Sequence, residues 1–292
     1  MRPEGSPAGA GECAAENTRG GTHSGVKKKR RVASLTRRRS LQVTQRDEGL
    51  LPCIQALKAE HPFWAYRRIW AHLHFVEKLP INKKRVLRMM REHNLLVKPN
   101  LKLKAKRTPS RGKPRPTKPH EWSGIDMTKV LVESFGWVYI VLVLDWYTKK
   151  IVGYDAGMPC TARHWLAALD MAVNAQLPEG AREQGLSLMS DNGCQPTSLV
   201  FLQACSTLGI QQAFTSYNHP KGNADTERVM RTLKEECLWL QEWTSPFALI
   251  RALEVWIADY NTHYLHSALG YQSPRQFERN YHLSHGTPFV AA

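Results

Sequence analysis

The six cysteines of this chain form no C-x-x-C pair and follow no regular spacing. That argues against a zinc site or a disulfide framework and leaves reduced thiols. No apolar run approaches the roughly 18 residues of a membrane span, and the N-terminus lacks the apolar stretch that directs secretion. Acidic residues are scarce early on: residues 1–120 hold 8 of them against 29 lysines and arginines. Residues 121–292 reverse the balance, with 17 acids against 12 basic residues. The overall charge of +16 therefore comes from a basic arm in front of a mildly acidic body. Such an arm suits the phosphates of a nucleic acid, and such a body suits a pocket that attracts cations.

The chain divides by composition. Residues 1–46 are rich in small residues and arginine without apolar periodicity, which predicts a disordered basic extension. Its run Lys27–Arg31 reads either as a nuclear address or DNA-contacting patch, or as a solvated tail. Residues 47–97 predict a small all-α module of three helices. The first runs from about Asp47 to Glu60 and the second covers Tyr66 to His74, with Ile69 and Leu73 on one buried face. The third follows Asn82 as N-cap and runs to about Asn94, with Val86, Met89, Met90 and His93 in one stripe. Lys83, Lys84, Arg85 and Arg88 charge that third helix, so the module reads as a helix-turn-helix DNA-binding unit, with a solvated basic bundle as the rival. Residues 98–120 alternate proline with positive charge and predict a semi-rigid basic linker.

From 121 to 280 the pattern becomes mixed α/β. Trp122–Val132, Trp137–Trp146 and Lys150–Gly157 predict an antiparallel meander. Helix, strand, helix, strand and two further helices follow, at about 161–175, 186–189, 197–208, 210–215, 223–239 and 246–263. This order is that of a ribonuclease-H-like fold: a mixed five-stranded sheet flanked by helices. Residues 281–292 read as a C-terminal tail.

Three acids stand out. Asp126 lies inside the first strand, where a charge is costly to bury unless it is paired or metal-bound. Asp191 follows a short buried strand and precedes an Asn-Gly turn. Glu227 lies in a helix, and Lys234 stands seven residues later on the same face. Thirty-five residues separate Asp191 from Glu227. By the same helical phase Asp225, Glu235 and Glu236 read as solvated charges, while Asp145 and Asp155 read as turn or cap residues. Carboxylates from separate elements are what two-metal phosphoryl chemistry requires, with Mg²⁺ keeping other positions for water and phosphate.

Several motifs, taken in order, carry a resemblance over about residues 48–280. They are His61–Ile69 and Asn82–Val86, then Trp122–Thr128, Ser190–Gln195, Lys221–Glu227, Leu233–Glu235 and Tyr260–Pro274. Together they resemble the catalytic reading frame of a bacterial insertion-sequence transposase with a retroviral-integrase-type DDE core. The resemblance implies a metal-dependent enzyme that cleaves and transfers DNA strands. Asp126, Asp191 and Glu227 would be its catalytic and metal-binding triad, served by two Mg²⁺ ions or by Mn²⁺. Lys234 matches the basic residue that approaches the element's terminal DNA, and Asn223 and Lys221 would help to position that DNA. Implied partners are element ends, target DNA, further copies of the chain and a separate upstream-frame helix-turn-helix protein, in the cytoplasm at the nucleoid. Arg228 and Pro196 depart from the family's usual residues. The rival readings are a non-catalytic DNA-binding regulator and a ribonuclease-H-fold nuclease.

Overall fold

A computed structural model describes residues 41–97, 114–215 and 220–286, without the side chains of 41–44, 220 and 221. Most of the predicted extension, most of the linker and the last residues of the tail lie outside that set.

The meander follows from two strands of alternating and apolar sequence. Strand β1, Trp122–Val132, pairs antiparallel with β2, Gly136–Asp145, from Ser123↔Asp145 to Val132↔Gly136. The turn between them is tight, with Ser134 at φ 63° and Gly136 at φ 94°. Strand β3, Ile151–Gly157, pairs antiparallel with β2 across a register shift between Val143 and Leu144. Strands β4, Ser187–Ser190, and β5, Gln211–Phe214, then add in parallel to the other side of β1. The sheet order is β3-β2-β1-β4-β5, so β1 is central.

Period-2 alternation builds both cores. On β2, Val138, Ile140, Leu142 and Leu144 face one cluster with Val229, Met230 and Leu233 of helix α6 and Leu249, Leu253 and Ile257 of helix α7. Helix α6 spans Ala224–Leu233 and α7 spans Pro246–His263. Val141 and Val143 face the other cluster, with Trp165, Leu169 and Phe201 of helices α4 and α5. Those helices span Ala162–Gln176 and Leu199–Thr207. A strand apolar on both faces belongs in the middle of a layered α/β sheet. The architecture is the ribonuclease-H-like sandwich expected, a five-stranded mixed sheet with helices on both faces.

Ahead of it stand α1, Leu41–Glu60, α2, Tyr66–Ala71, and α3, Lys83–Glu92. Ile54, Ile69, Leu73, Val86, Met89 and Met90 form their core, and Leu265 and Tyr271 from the far end of the chain pack against it. The Asn82 cap is present: its side-chain oxygen accepts from Lys84 N at 2.8 Å. His93 does not join the stripe. The helix ends at Glu92, and Asn94 at φ 57° turns the chain away, leaving His93 exposed. Helix α1 begins upstream of the expected Asp47 and runs through Pro52, so the predicted 46/47 boundary falls within it. Likewise helix α8, Pro274–His285, crosses the predicted 280/281 boundary.

Candidate active site

The parallel pairing of β1 and β4 stops at Gly124↔Met189. Asp126 lies two residues past that point on β1, and Asp191 lies one residue past the end of β4. Asp191 therefore sits at the carboxyl end of β4, and Asp126 lies within β1 just beyond the point where its pairing with β4 ends, so both flank the crevice where the two strands part. Asp126 is half-buried, and its Oδ1 accepts from Met127 N at 2.8 Å. Asp191 is exposed at the turn, where its Oδ1 accepts from Gly193 N at 3.1 Å.

Glu227 reaches this place because α6 is fastened to β1. Gly124 shares a face of β1 with Asp126, and a Cβ there would lie 2.0 Å from Thr226 Oγ1 and 2.5 Å from Asn223 Oδ1. The missing side chain is what lets the helix approach. Asn223 is 3% exposed, and its Nδ2 donates to Ile125 O at 3.2 Å. Trp146 Nε1 donates to Thr226 Oγ1 at 3.0 Å. Buried polar groups are tolerated when paired in this way, and here the pairs set the helix. Glu227 follows Thr226 and is exposed in the first turn of α6, while Lys234 opens the π-helical turn that ends it.

Charge connects the four side chains. Burial, with repulsion from Asp191 and Glu227, pushes the Asp126 carboxyl up to about 6, against the Met127 N–H and Lys234, which favour its ionised form. The three acids are nevertheless not the tightest candidate cluster. Among the described residues, ligand atoms all within 4.8 Å of one another are found at His120, Glu278 and His282. The acids act on one another electrostatically across the crevice. As hard oxygen donors on separate elements, their chemistry fits Mg²⁺.

Other predicted residues are placed differently. Asn223 is buried under the helix, so its visible work is to hold α6 to β1. Lys221 lies in the 3-10 turn Pro220–Asn223, with its side chain outside the described set. On α3, Lys83 Nζ donates to Tyr271 Oη at 3.1 Å and lies 4.0 Å from the Trp70 ring centre. Arg85 and Arg88 both grip Asp47, at 2.8 and 2.7 Å. Burial alone would raise the Asp47 carboxyl, yet the two guanidiniums hold it below its ordinary value. Lys84 is exposed.

Two acids read as solvated are paired instead. Asp225 accepts from Lys149 Nζ at 2.9 Å, and Glu236 forms an ion pair with Arg68 of the helical module. Only Glu235, paired with Arg231 at 2.7 Å along the helix, keeps to the surface pattern expected. Gly124, Thr226 and Arg68 lie inside motifs quoted from the sequence, and Trp146 closes a predicted strand, but the sequence assigned none of them a role. The Gly-Ile-Asp order around Asp126 was the available signal for the first.

Comparison with known proteins finds relatives for both the helical module and the core. An integrase core domain family matches residues 116–220, a second family of the same description matches 208–274, and an HTH-like domain matches 44–102. The chain is 27% identical to the transposase for insertion sequence element IS629 of Shigella sonnei over 157 residues, 54% of this chain and 51% of that protein. It is 30% identical to the IS600 uncharacterized 31 kDa protein of Shigella sonnei over 191 residues, 65% of each. The chain thus spans about half to two thirds of these relatives. Among solved structures, the HTLV-2 integrase catalytic core domain in complex with magnesium aligns with TM-score 0.41 at 14% identity. That alignment covers 56% of this chain and 99% of that one.

Proposed function

We propose that this chain, which matches integrase core domains behind an HTH-like domain and is similar to insertion-sequence transposases, cuts and joins DNA at the ends of an insertion element. Cutting adds water across a phosphodiester and leaves a 3′-OH. Joining lets that hydroxyl attack a second phosphodiester: a new P–O bond forms, the target's P–O3′ bond breaks, and the proton leaves with the expelled oxygen. One observation carries the reading. The half-buried Asp126 carboxyl lies in the charge field of Asp191, Glu227 and Lys234, from separate elements of an integrase core.

In this proposal Asp126, Asp191 and Glu227 hold two Mg²⁺ ions, or Mn²⁺ as substitute. Bound there, such ions polarise the phosphate and activate the attacking oxygen. The acids bind metal and need not act as bases. Lys234 and Lys221 would offset backbone phosphate beside them, and Asn223 would keep Glu227 aimed at Asp126. Residues 47–97 would hold DNA by phosphate contacts and a few base-edge contacts from α3, with Lys84 the exposed member of the basic set. Residues 121–280 would act as the catalytic unit, in an assembly of several copies. A separate upstream helix-turn-helix protein would add DNA contacts.

The test is strand transfer on terminal-repeat DNA by this chain alone, with Mg²⁺ or Mn²⁺. Joined products that fall at least about a hundredfold in Asp191→Asn and Glu227→Gln, with DNA binding retained, are expected. Cut strands without joining would indicate a nuclease on the same fold. Bound DNA left chemically unchanged would indicate a regulator.

A further inference from the structure

In the turn two residues ahead of β1 and six before Asp126, His120 meets Glu278 and His282 of α8, and their ligand atoms all lie within 4.8 Å of one another. We propose that these three side chains bind one imidazole-preferring divalent cation of the Zn²⁺ class, separate from the three acids, and that this ion fastens α8 to the entrance of the central strand.

The geometry supports a built site. Glu278 and His282 are four residues apart on one helix, so their side chains share a face. Ser273 caps that helix, its hydroxyl accepting from Gln276 N at 3.3 Å, and Pro274 opens it. His120 comes from a distant part of the chain, and its backbone is held: the main-chain N–H donates to Asp145 Oδ1 at 3.1 Å, with φ at 61°. Asp145 is 1% exposed, and its other oxygen takes Thr148 N at 2.8 Å and Thr148 Oγ1 at 2.6 Å. A non-glycine residue held in the left-handed region is a recurrent mark of a constrained site.

Donor type selects the ion. Two imidazoles and one carboxylate are a common three-residue set for zinc with a fourth position left to water, whereas Mg²⁺ prefers oxygen throughout. Glu278 is 3% exposed and is paired with Lys150 Nζ at 2.8 Å through Oε2. With its amide oxygen turned toward that lysine, Gln176 accepts from it at 3.3 Å and donates to Glu278 Oε1 at 3.1 Å. A carboxylate offers about four acceptor sites, so these two contacts leave lone pairs for a metal. Glu278 and Asp145 together outweigh Lys150 by one negative charge, which favours a cation among neutral imidazoles. The cysteines gave no zinc pattern because the donors here are histidine and glutamate.

The test uses the full chain without a histidine tag, stripped by chelator, in a Glu227→Gln background that weakens the acid site. Calorimetric titration with ZnCl₂ should give one ion per chain, with metal content confirmed by mass spectrometry. His120→Ala and His282→Ala should each weaken binding by at least about tenfold and abolish the Zn²⁺-induced rise in Tm. His120→Gln and His282→Gln, with circular dichroism of the folded parent, should show the same loss, which separates a missing ligand from misfolding. Co²⁺ loading should give visible ligand-field bands that the histidine variants lack. Zn²⁺ binding that is absent in the parent, or unchanged across all four histidine variants, would overturn the proposal. Loss of strand transfer in Asp191→Asn bears only on the acid site.

Discussion

Asn223 donates its side-chain amide to the carbonyl of Ile125 at 3.2 Å, one residue before Asp126 and four residues before Glu227. This bond joins the elements carrying two of the three proposed metal ligands, and it lies in a buried layer with Gly124, Trp146 and Thr226. Replacing Asn223 with Ala leaves a buried carbonyl without its donor, at a cost of about 1–3 kcal/mol. The expected outcome is a lower Tm together with a fall in strand transfer at temperatures where the variant is fully folded. Unchanged transfer in the folded variant would argue that α6 keeps its place without the bond.

The Arg68–Glu236 ion pair links the helical module to the core. Arg68 also stacks over the Tyr264 ring at 3.9 Å. Burial pushes the Glu236 carboxyl up, and Arg68 pulls it back toward ionisation. Arg68→Ala leaves that acid partly buried and unpaired, which should cost about 3 kcal/mol. Arg68→Met with Glu236→Leu should recover most of the loss. Urea denaturation of the two single variants and the pair forms the double-mutant cycle that checks it.

His266 sets a pH dependence. Burial, followed by the charges of Arg68, Lys149 and Arg228, lowers its imidazole to about 3 in the folded chain from an ordinary 6.5. The folded state therefore excludes a proton that the unfolded chain binds. Stability from this residue is complete above pH 6.5 and declines as pH falls toward 3. By pH 5 the decline should be on the order of 2 kcal/mol. Denaturation of parent and His266→Gln at pH 7.5 and 5 should show a flatter response in the variant.

Asp126 predicts the opposite slope. Its folded carboxyl titrates near 6 rather than 3.8, so between those values the folded state binds the extra proton. Its share of stability falls as pH rises from about 4 to 6 and stays low above that. With chelator present at pH 7.5, Asp126→Asn should be more stable than the parent, by on the order of 2 kcal/mol after allowance for partial exposure. Mg²⁺ should close that gap by stabilising the parent alone. A parent that ignores Mg²⁺ would remove Asp126 from the metal site.

Local patterns made much of the fold legible. Strand β1 and helix α7 have the expected bounds, because alternation along Trp122–Val132 and the Ser245-Pro246 start are written in adjacent residues. Helix α8 begins with the same Ser-Pro signal at Ser273-Pro274, yet it has little apolar stripe, and what it buries includes Glu278. The partner that makes that burial tolerable, Lys150, is 128 residues away. Glu236 and Asp225 looked solvated for the same reason, their partners lying 168 and 76 residues distant. Gly124 could be seen as a glycine in a strand, but the helix that needs its empty side is folded from residues a hundred positions later. The acid site was legible as residue types and spacing, while the layer that assembles it was not.

Strand β1 is paired with β2 from Ser123 to Val132 but with β4 only from Trp122 to Gly124, and this sets how the site can come apart. Its amide hydrogens bonded to β2 on either side of Asp126 should exchange with solvent deuterium only when the β1–β2 ladder opens, whereas those of α6 and the turn after β4 can exchange through smaller openings. Asp126 would then be the fixed post of the site, and Asp191 and Glu227 the parts that fluctuate toward it. Whatever orders those two segments, metal or DNA, should appear first as slowed exchange there and as no change at all along β1.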